Sequence, residues 1–508
     1  MRHIVSQHID ILPAVQYEVT FMARFGLSKS KIISGLQCPK RLYLEVHHPE
    51  LAEVSDETER MFSNGHLVGE IARNQQPSGK LVSHTDDLKG ALAETQALLK
   101  AEPKTILFEA TFEHGGVLIR ADILSRNRSK AQLVEVKSST SVKGYHYNDA
   151  AIQYWVVTGA GIPLSSVSIA HIDNQFVYPG DGDYRGLLTQ VNVTEEILPL
   201  TEQVPVWVKD LKKVLAGDTP EISMGKQCHD PFECPFQAFC SKGKEQSEYP
   251  VEILPNGGKV VARLVAEGYS DLRDVPMEKL SSAKHLRVWR ASKSGKPELD
   301  SGIRNLLRSL PFPRFYFDFE TIQFAVPIWS GTRPYEQLPF QWSCHIEEES
   351  GELRHEEFLD TSGNAPMRLA TERLIATLGK KGPILTYGHF ESTRLKALAE
   401  RFPDLSESLT KISRRTMNLH PIVKDHYYHP AMKGSWSLKD VLPTVAPDLR
   451  YGDLGEVQEG GAAQGAYLSI IDPATPEARR KTLTRDLLDY CGMDTMGLVR
   501  AVKFFAER

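Results

Sequence analysis

Three sets of residues in this chain, the second drawn from three separate stretches, have types and spacing that could do chemistry. In GVLIRADILSRNRSKAQLVEVKSST, Asp122 closes one apolar run, and Glu135 and Lys137 stand two apart on the next. Strand alternation puts Glu135 and Lys137 on one face of a sheet. A carboxylate and an ammonium projecting beside a strand-end Asp can hold a divalent ion while the lysine positions a water. Phosphodiester hydrolysis asks for that arrangement, and hard oxygen ligands suit Mg²⁺ or Mn²⁺. The same residues could instead form a surface Glu–Lys pair on an edge strand. In RFYFDFETI, Asp318 and Glu320 share one face of an otherwise apolar strand, with Phe317 and Phe319 on the other. Unpaired acids on a buried strand are costly, and a bound metal compensates them. Near the C-terminus, DLLDYCGMDTMGLVRAVKFF reads as a helix in which Tyr490 and Asp494 are neighbours four residues apart. Between these two stretches, PILTYGHFESTRLKAL reads strand, turn, helix, with Glu391 at the helix start. The third set lies in QCHDPFECPFQAFC. It sets Cys228, Cys234 and Cys240 at even steps in a chain that has six cysteines.

The elements that must position these residues fall into blocks. Residues 27–245 alternate helical and strand-like runs and end in the cysteine segment. Residues 246–309 read as a short helical connector, and residues 310–508 open abruptly on the strand RFYFDFE. The class is α/β, and a length of 508 residues predicts two to four domains. Residues 1–26 read as an N-terminal extension, since Met22 precedes the first convincing element, LSKSKIISGLQCPKRLYLEV. A net charge of −5 excludes polyanion binding by bulk charge, so nucleic-acid contacts must come from local patches. No apolar run is long enough for a membrane span, and the N-terminus has no small-residue cleavage site. The expectation is a cytoplasmic protein without a membrane partner, in which clustered thiols stay reduced and bind metal.

Taken with His66 in SNGHLVGEIARN and Gln153 in NDAAIQYWVVTGAG, the first block resembles the iron-sulfur RecB-like branch of the PD-(D/E)xK nucleases. The resemblance implies a restriction-endonuclease-like fold in which His66, Asp122 and Glu135 ligate metal, Lys137 serves the nucleophilic water and Gln153 supports the site. Many relatives carry a Tyr four residues after that Gln. Here Val157 stands there and Tyr154 is adjacent instead. The resemblance also implies that Cys38, far upstream, joins Cys228, Cys234 and Cys240 as four thiolates clamping the two ends of the domain around a [4Fe-4S] cluster. Structural zinc is the alternative, although it favours short paired cysteine spacings.

The connector run ILPNGGKVVARLVAEGYSDLRDVP resembles a helix-hairpin-helix element. Its tail, KHLRVWRASKSGK, presents Lys284, Arg287, Trp289 and Arg290, a face that could bind phosphate and stack on a base, or form a linker helix with its Trp packed on a neighbour. The last block resembles the DnaQ-like DEDD exonucleases of the RNase H-like fold. That implies Asp318, Glu320, Glu391 and Asp494 as ligands of two metal ions and Tyr490 as the residue orienting water. The third acid is Glu rather than the usual Asp, Gly388 stands where many relatives have Asn, and position 418 is Asn. Cys344 and Cys491 read as small core residues. The whole arrangement resembles an uncharacterised bacterial family that fuses the two nuclease types.

The expected function is metal-dependent hydrolysis of DNA phosphodiesters, in single-stranded or end-processed DNA, for repair or defence. No protein partner is legible. The alternatives are a nucleic-acid-binding scaffold and a nuclease whose last block only binds. Glu135→Ala and Lys137→Ala are expected to abolish cleavage at the first site without unfolding the chain.

Overall fold

The computed structural model describes residues 26–53, 56–83, 87–242 and 247–508. The N-terminal extension, apart from Gly26, and the boundary at 245/246 lie outside the described residues. The chain divides into two compact units. The first runs to Lys244 and takes in Phe324–Glu336; the second holds Glu245–Gln323 and Gln337–Arg508.

The first unit is built on a seven-stranded mixed sheet. Its strands are β1 (Leu27–Ser28), β2 (Lys80–Leu81), β3 (Lys104–His114), β4 (Val117–Asn127), β5 (Lys130–Lys137), β6 (Leu164–Ile172) and β7 (Leu188–Asn192). The spatial order is β2-β3-β4-β5-β6-β7, and β1 pairs with β4. Its helices include α1 (Lys29–Gln37), α2 (Pro39–His47), α3 (Asp56–Asn74), α4 (Leu88–Ala101) and α5 (Gly144–Gly159). Strands β5 and β6 are parallel, so the chain must cross over between them, and α5 makes that crossover. Ala150, Ala151, Ile152, Val156 and Val157 of α5 pack into a core with Leu124 and Leu133 of the sheet. β4 pairs with β5 only from Ile123 to Asn127, while its start pairs with β1. The two long strands therefore part at Asp122, and the gap opens between Asp122 and Glu135.

Residues 324–336 follow the strand RFYFDFETI in sequence and were expected to belong to the last block. They form part of the first unit. Ala325 and Val326 share a buried cluster with Val68, Ile71, Ile172 and Leu187, and the Tyr335 hydroxyl donates to the Ser138 carbonyl.

The second unit has a two-stranded ribbon, β8 (Glu298–Leu299) with β14 (Tyr427–Tyr428). Its five-stranded mixed sheet comprises β9 (Arg314–Ile322), β10 (Leu338–Glu347), β11 (Leu353–Leu359), β12 (Ile384–Thr386) and β13 (Thr416–Asn418), in the order β11-β10-β9-β12-β13. The pairs β9–β10 and β10–β11 are antiparallel, whereas β12 is parallel to both β9 and β13. Its helices include α6 (Ala283–Ser294), α7 (Met367–Leu378), α8 (Phe390–Arg401) and α9 (Glu477–Glu507).

The stretch read as a separate connector is part of this unit's core. Val251, Leu254, Leu264, Leu272 and Val288 share one cluster with Tyr427, Tyr428, Trp436, Val502 and Phe505. Burying that apolar surface ties residues 246–309 to the C-terminal half and removes their independence. Among the described residues no helix is long and apolar enough to cross a membrane.

Candidate active sites

In the first unit, β5 presents Glu135, 2% exposed, and Lys137 on one face, and β4 supplies Asp122 across the gap. Because the strands have parted there, the Val136 amide has no ladder partner in β4, and Asp122 Oδ2 accepts it at 2.6 Å. Glu135 Oε1 receives two ammoniums, Lys29 Nζ at 2.6 Å and Lys137 Nζ at 2.7 Å, while Oε2 accepts from Gln153 Nε2 at 2.6 Å. Asp149, one turn before Gln153 on α5, completes the group. It pairs with Lys137 and lies 3.2 Å from Lys29. Among the described residues, Gln153 Oε1 is buried without a hydrogen-bond partner. An orphaned carbonyl costs about 1–3 kcal/mol, so an acceptor beside two carboxylates fits an ion or an ion-bound water.

Electrostatics set these acids apart. Burial, reinforced by Glu135, pushes Asp122 well above the usual carboxylate range. Burial would also raise Glu135, but Lys137 and Lys29 outweigh it and hold Glu135 well below that range. Burial opposes the charge on Lys137, yet Asp149 and Glu135 overcome it and raise its pKa. Thus an acid that holds its proton faces one that cannot take it up, the kind of separation that divides roles at reactive centres.

The structure brings Asp122, Glu135, Lys137 and Gln153 together. His66 is exposed on α3, and among the described residues it forms no compact ligand set with Asp122 and Glu135. Tyr154 packs on the sheet core. Sequence reading missed Lys29 and Asp149. Asp149 had a usable signal, standing one helical turn before Gln153. Lys29 had none.

The cysteines converge from both ends of the unit. Cys38 sits at the junction of α1 and α2, where Pro39 starts the second helix. Its neighbour Gln37 donates to the Gln227 carbonyl at 2.7 Å and the Phe232 carbonyl at 2.6 Å. Cys234 N donates to Cys228 O at 2.9 Å. Burial raises the Cys234 thiol, with Cys228 and Cys38 near enough to add to the shift. Cys240 lies on the short helix Gln237–Ser241. Tyr145 of α5 meets Phe232 edge-on at 4.7 Å. The cysteine loop is therefore tied both to α1, which carries Lys29, and to α5, which carries Asp149 and Gln153. None of the six cysteines forms a disulfide.

In the second unit, Asp318 and Glu320 project from β9 and Asp494 from α9, with ligand oxygens within 4.8 Å of one another. Glu391 is buried in the first turn of α8, outside that triad, close enough to Asp318 to raise its pKa, and among the described residues its Oε2 has no hydrogen-bond partner. Burial together with Asp494, Glu391 and Glu320 pushes Asp318 well up, and burial with Asp494 does the same to Glu320. Burial also pushes Asp494 up to about 6, against hydrogen bonds from Tyr451 and Tyr490. Such a packed set of acids is high in energy without a cation and fits a hard divalent ion.

Tyr490 is 5% exposed and its hydroxyl serves Asp494. Two partners were not foreseen. The Tyr451 hydroxyl donates to Asp494. Lys439 lies over the rings of Tyr451 and Tyr490 at 5.3 and 5.7 Å and is a cation favouring ionised Glu320 and Asp494. Gly388 has φ of 150°, a conformation that side chains rarely adopt, which accounts for Gly there. Asn418 caps the following helix, accepting from His420 N at 2.9 Å. Cys491 is buried with Sγ 3.9 Å from Asp318 Oδ2, and Cys344 is buried in β10.

The basic face on α6 is largely engaged inside the unit. Arg290 forks onto Glu298 at 2.6 and 2.8 Å, and Arg287 donates to the Lys424 carbonyl at 3.0 Å. Trp289 donates to the Val275 carbonyl at 2.8 Å and packs against the core. A ring held there is no open stacking platform. Lys284 remains exposed.

The family model "Domain of unknown function (DUF2779)" matches residues 315–437. That span holds Asp318, Glu320 and Glu391 but stops before Lys439, Tyr451, Tyr490 and Asp494. The chain is also similar to an uncharacterized protein of Ureaplasma parvum serovar 3, at 24% identity over 228 residues, covering 40% of this chain and 32% of the relative. The match thus spans about a third of that relative's length.

Proposed function

We propose that this chain is a metal-dependent nuclease hydrolysing DNA phosphodiesters, with a RecB-like PD-(D/E)xK centre in the first unit and an RNase H-like, DEDD-type centre in the second. The observation that carries the reading is the convergence of Asp318, Glu320 and Asp494 on one point from β9 and the C-terminal helix α9, elements far apart in sequence. The sheet order, with β9 central and β12 and β13 parallel to it, supports the RNase H-like assignment. A divalent ion at either centre would supply charge neutralisation and an acidified water.

The chain's own groups do the rest. Asp122 and Glu135 hold the cation in the first unit, while Lys137, anchored by Asp149, is placed to orient water and neutralise developing charge. In the second unit, Asp318, Glu320 and Asp494 hold the cation and Tyr490 fixes Asp494. Because Glu391 lies outside the triad, a second reading stands beside this one, in which only the first centre cleaves and the second unit binds the strand.

The test is digestion of 5′-labelled single-stranded DNA with Mg²⁺ or Mn²⁺ by the intact protein, by Lys137→Ala and by Asp494→Asn. Partial loss of product with each variant is expected. A salt-dependent mobility shift without product from the intact protein would establish a binding scaffold instead.

For the cysteines, Cys38 lying near Cys234 and Cys228 from the other end of the unit, with Cys240 on the short helix that follows, fits a bound metal group. A [4Fe-4S] cluster is preferred to zinc because zinc favours short paired cysteine spacings, which this chain does not have. Cys234→Ser should lose the brown colour and the iron of anaerobically purified protein together with solubility, since such binding is coupled to folding. Colour retained in that variant would defeat the assignment.

A further inference from the structure

Lys29 is the charged group of the first site that the acid-acid-lysine pattern leaves without a role. Its ammonium lies 2.6 Å from Glu135 Oε1 and 3.2 Å from Asp149 Oδ1, and its side chain is 22% exposed, so it keeps access to solvent. Its backbone is fixed at both ends of α1. Ser28 caps the start of the helix through the Lys31 amide, and Gln37 ties the far end to the cysteine loop. The ammonium can move only by turning on its four-carbon stem.

Glu135 is crowded in this arrangement. One oxygen takes two ammoniums and the other takes Gln153. For the carboxylate to face a divalent ion, one ammonium must leave Oε1. Lys137 keeps Asp149 Oδ2, whereas the contact of Lys29 with Asp149 is the long one.

The charge balance points the same way. Burial favours the proton on Asp122; once Asp122 gives it up to take a divalent ion, three carboxylates and two ammoniums carry one net negative charge. A divalent ion turns that into one positive, and a phosphodiester returns it to zero.

We infer that Lys29 is a phosphate-binding cation of the first centre, parked on Glu135 in the metal-free protein and turning to a non-bridging phosphate oxygen when Glu135 engages a divalent ion. No covalent bond changes in this step. The inference rests on reading Asp122, Glu135 and Lys137 as a nuclease centre.

The experiment uses full-length, cluster-loaded protein carrying Asp494→Asn to silence the second centre. It measures Mn²⁺ affinity by electron paramagnetic resonance and single-turnover cleavage of 5′-labelled single-stranded DNA. Adding Lys29→Gln should tighten Mn²⁺ binding about tenfold, because a competing cation is gone. It should also slow cleavage about 100-fold. Lys29→Arg should keep the parent's Mn²⁺ affinity and restore cleavage to within about tenfold of the parent. Lys29→Met supplies the same comparison if the Gln variant fails to fold. Cleavage at the parent rate, or Mn²⁺ affinity unchanged or weakened, would overturn the role of Lys29 while leaving the nuclease reading intact. A parent that neither binds Mn²⁺ nor cleaves would overturn both.

Discussion

Asp318→Asn should raise the melting temperature of the metal-free second unit and abolish the stabilisation of that unit by Mn²⁺. Most substitutions of buried polar groups destabilise, so the sign of this effect is diagnostic. Asp318 is pushed well up by burial and by three neighbouring carboxyls, so the folded chain gains when one acid of the set is replaced by an amide. Replacing one acid of such a functional-site set is worth about 1 kcal/mol, or roughly 2–4 °C for a unit of this size. At about 100-fold excess of Mn²⁺ over the Kd of the second centre, the wild-type second unit should gain about 2.7 kcal/mol and that of the variant nothing.

The pH dependence follows from Asp494, pushed up to about 6 from an ordinary 3.8. Between those values the folded chain holds a proton that the unfolded chain has released. The stability this contributes is full below the ordinary value and is lost as pH rises through about 6. Metal-free protein should therefore lose stability across that window, while Mn²⁺-bound protein, its acids already held as anions, should not. Calorimetric melts in chelator and in Mn²⁺ from pH 4 to 7 check this. A variant less stable than the wild type in chelator would mean that the acids are neutralised by the chain itself.

Glu135→Gln should abolish cleavage at the first centre and destabilise the fold. The sequence-based expectation was loss of cleavage without unfolding, as for a strand-edge pair. The structure makes Glu135 the hub of a buried network, with Lys29 and Lys137 on one oxygen and Gln153 on the other. Removing that charge leaves two ammoniums facing Asp149 alone, and breaking a buried pair in this way costs about 3–5 kcal/mol. The melting temperature should fall by about 10 °C. Adding Lys29→Met should recover part of the loss, because one surplus cation leaves with the anion, and a double-mutant cycle by circular-dichroism melts measures that coupling. An unchanged melting temperature for the single variant would reduce the pair to a surface contact worth under about 1 kcal/mol.

Much of the local structure was legible. Alternation in LVEVK and FDFE placed Glu135 with Lys137 and Asp318 with Glu320, because side-chain direction in a strand repeats every two residues whatever the surroundings. The turn, helix and Glu391 after β12, and the neighbouring Tyr490 and Asp494 of α9, were legible for the same reason. The domain map was harder. Residues 246–309 read as a linker because their polar composition conceals which few apolar side chains find partners, and residues 324–336 were grouped by sequence adjacency rather than by contact.

Sequence by itself determined which carboxylates share a strand face, which tyrosine lies one helical turn from which acid, and that three thiols crowd one segment. These are local periodicities fixed by backbone geometry. Tertiary structure alone decided that Lys29 reaches Glu135 across more than a hundred residues, that Tyr451 and Lys439 attend Asp494, that Glu391 stands outside the acid triad, and that Trp289 and Arg290 are engaged by their own unit. The physical reason is that a side chain's partner across the fold depends on how sheets and helices pack, and a long flexible ammonium or guanidinium can satisfy any carboxylate that packing brings within reach.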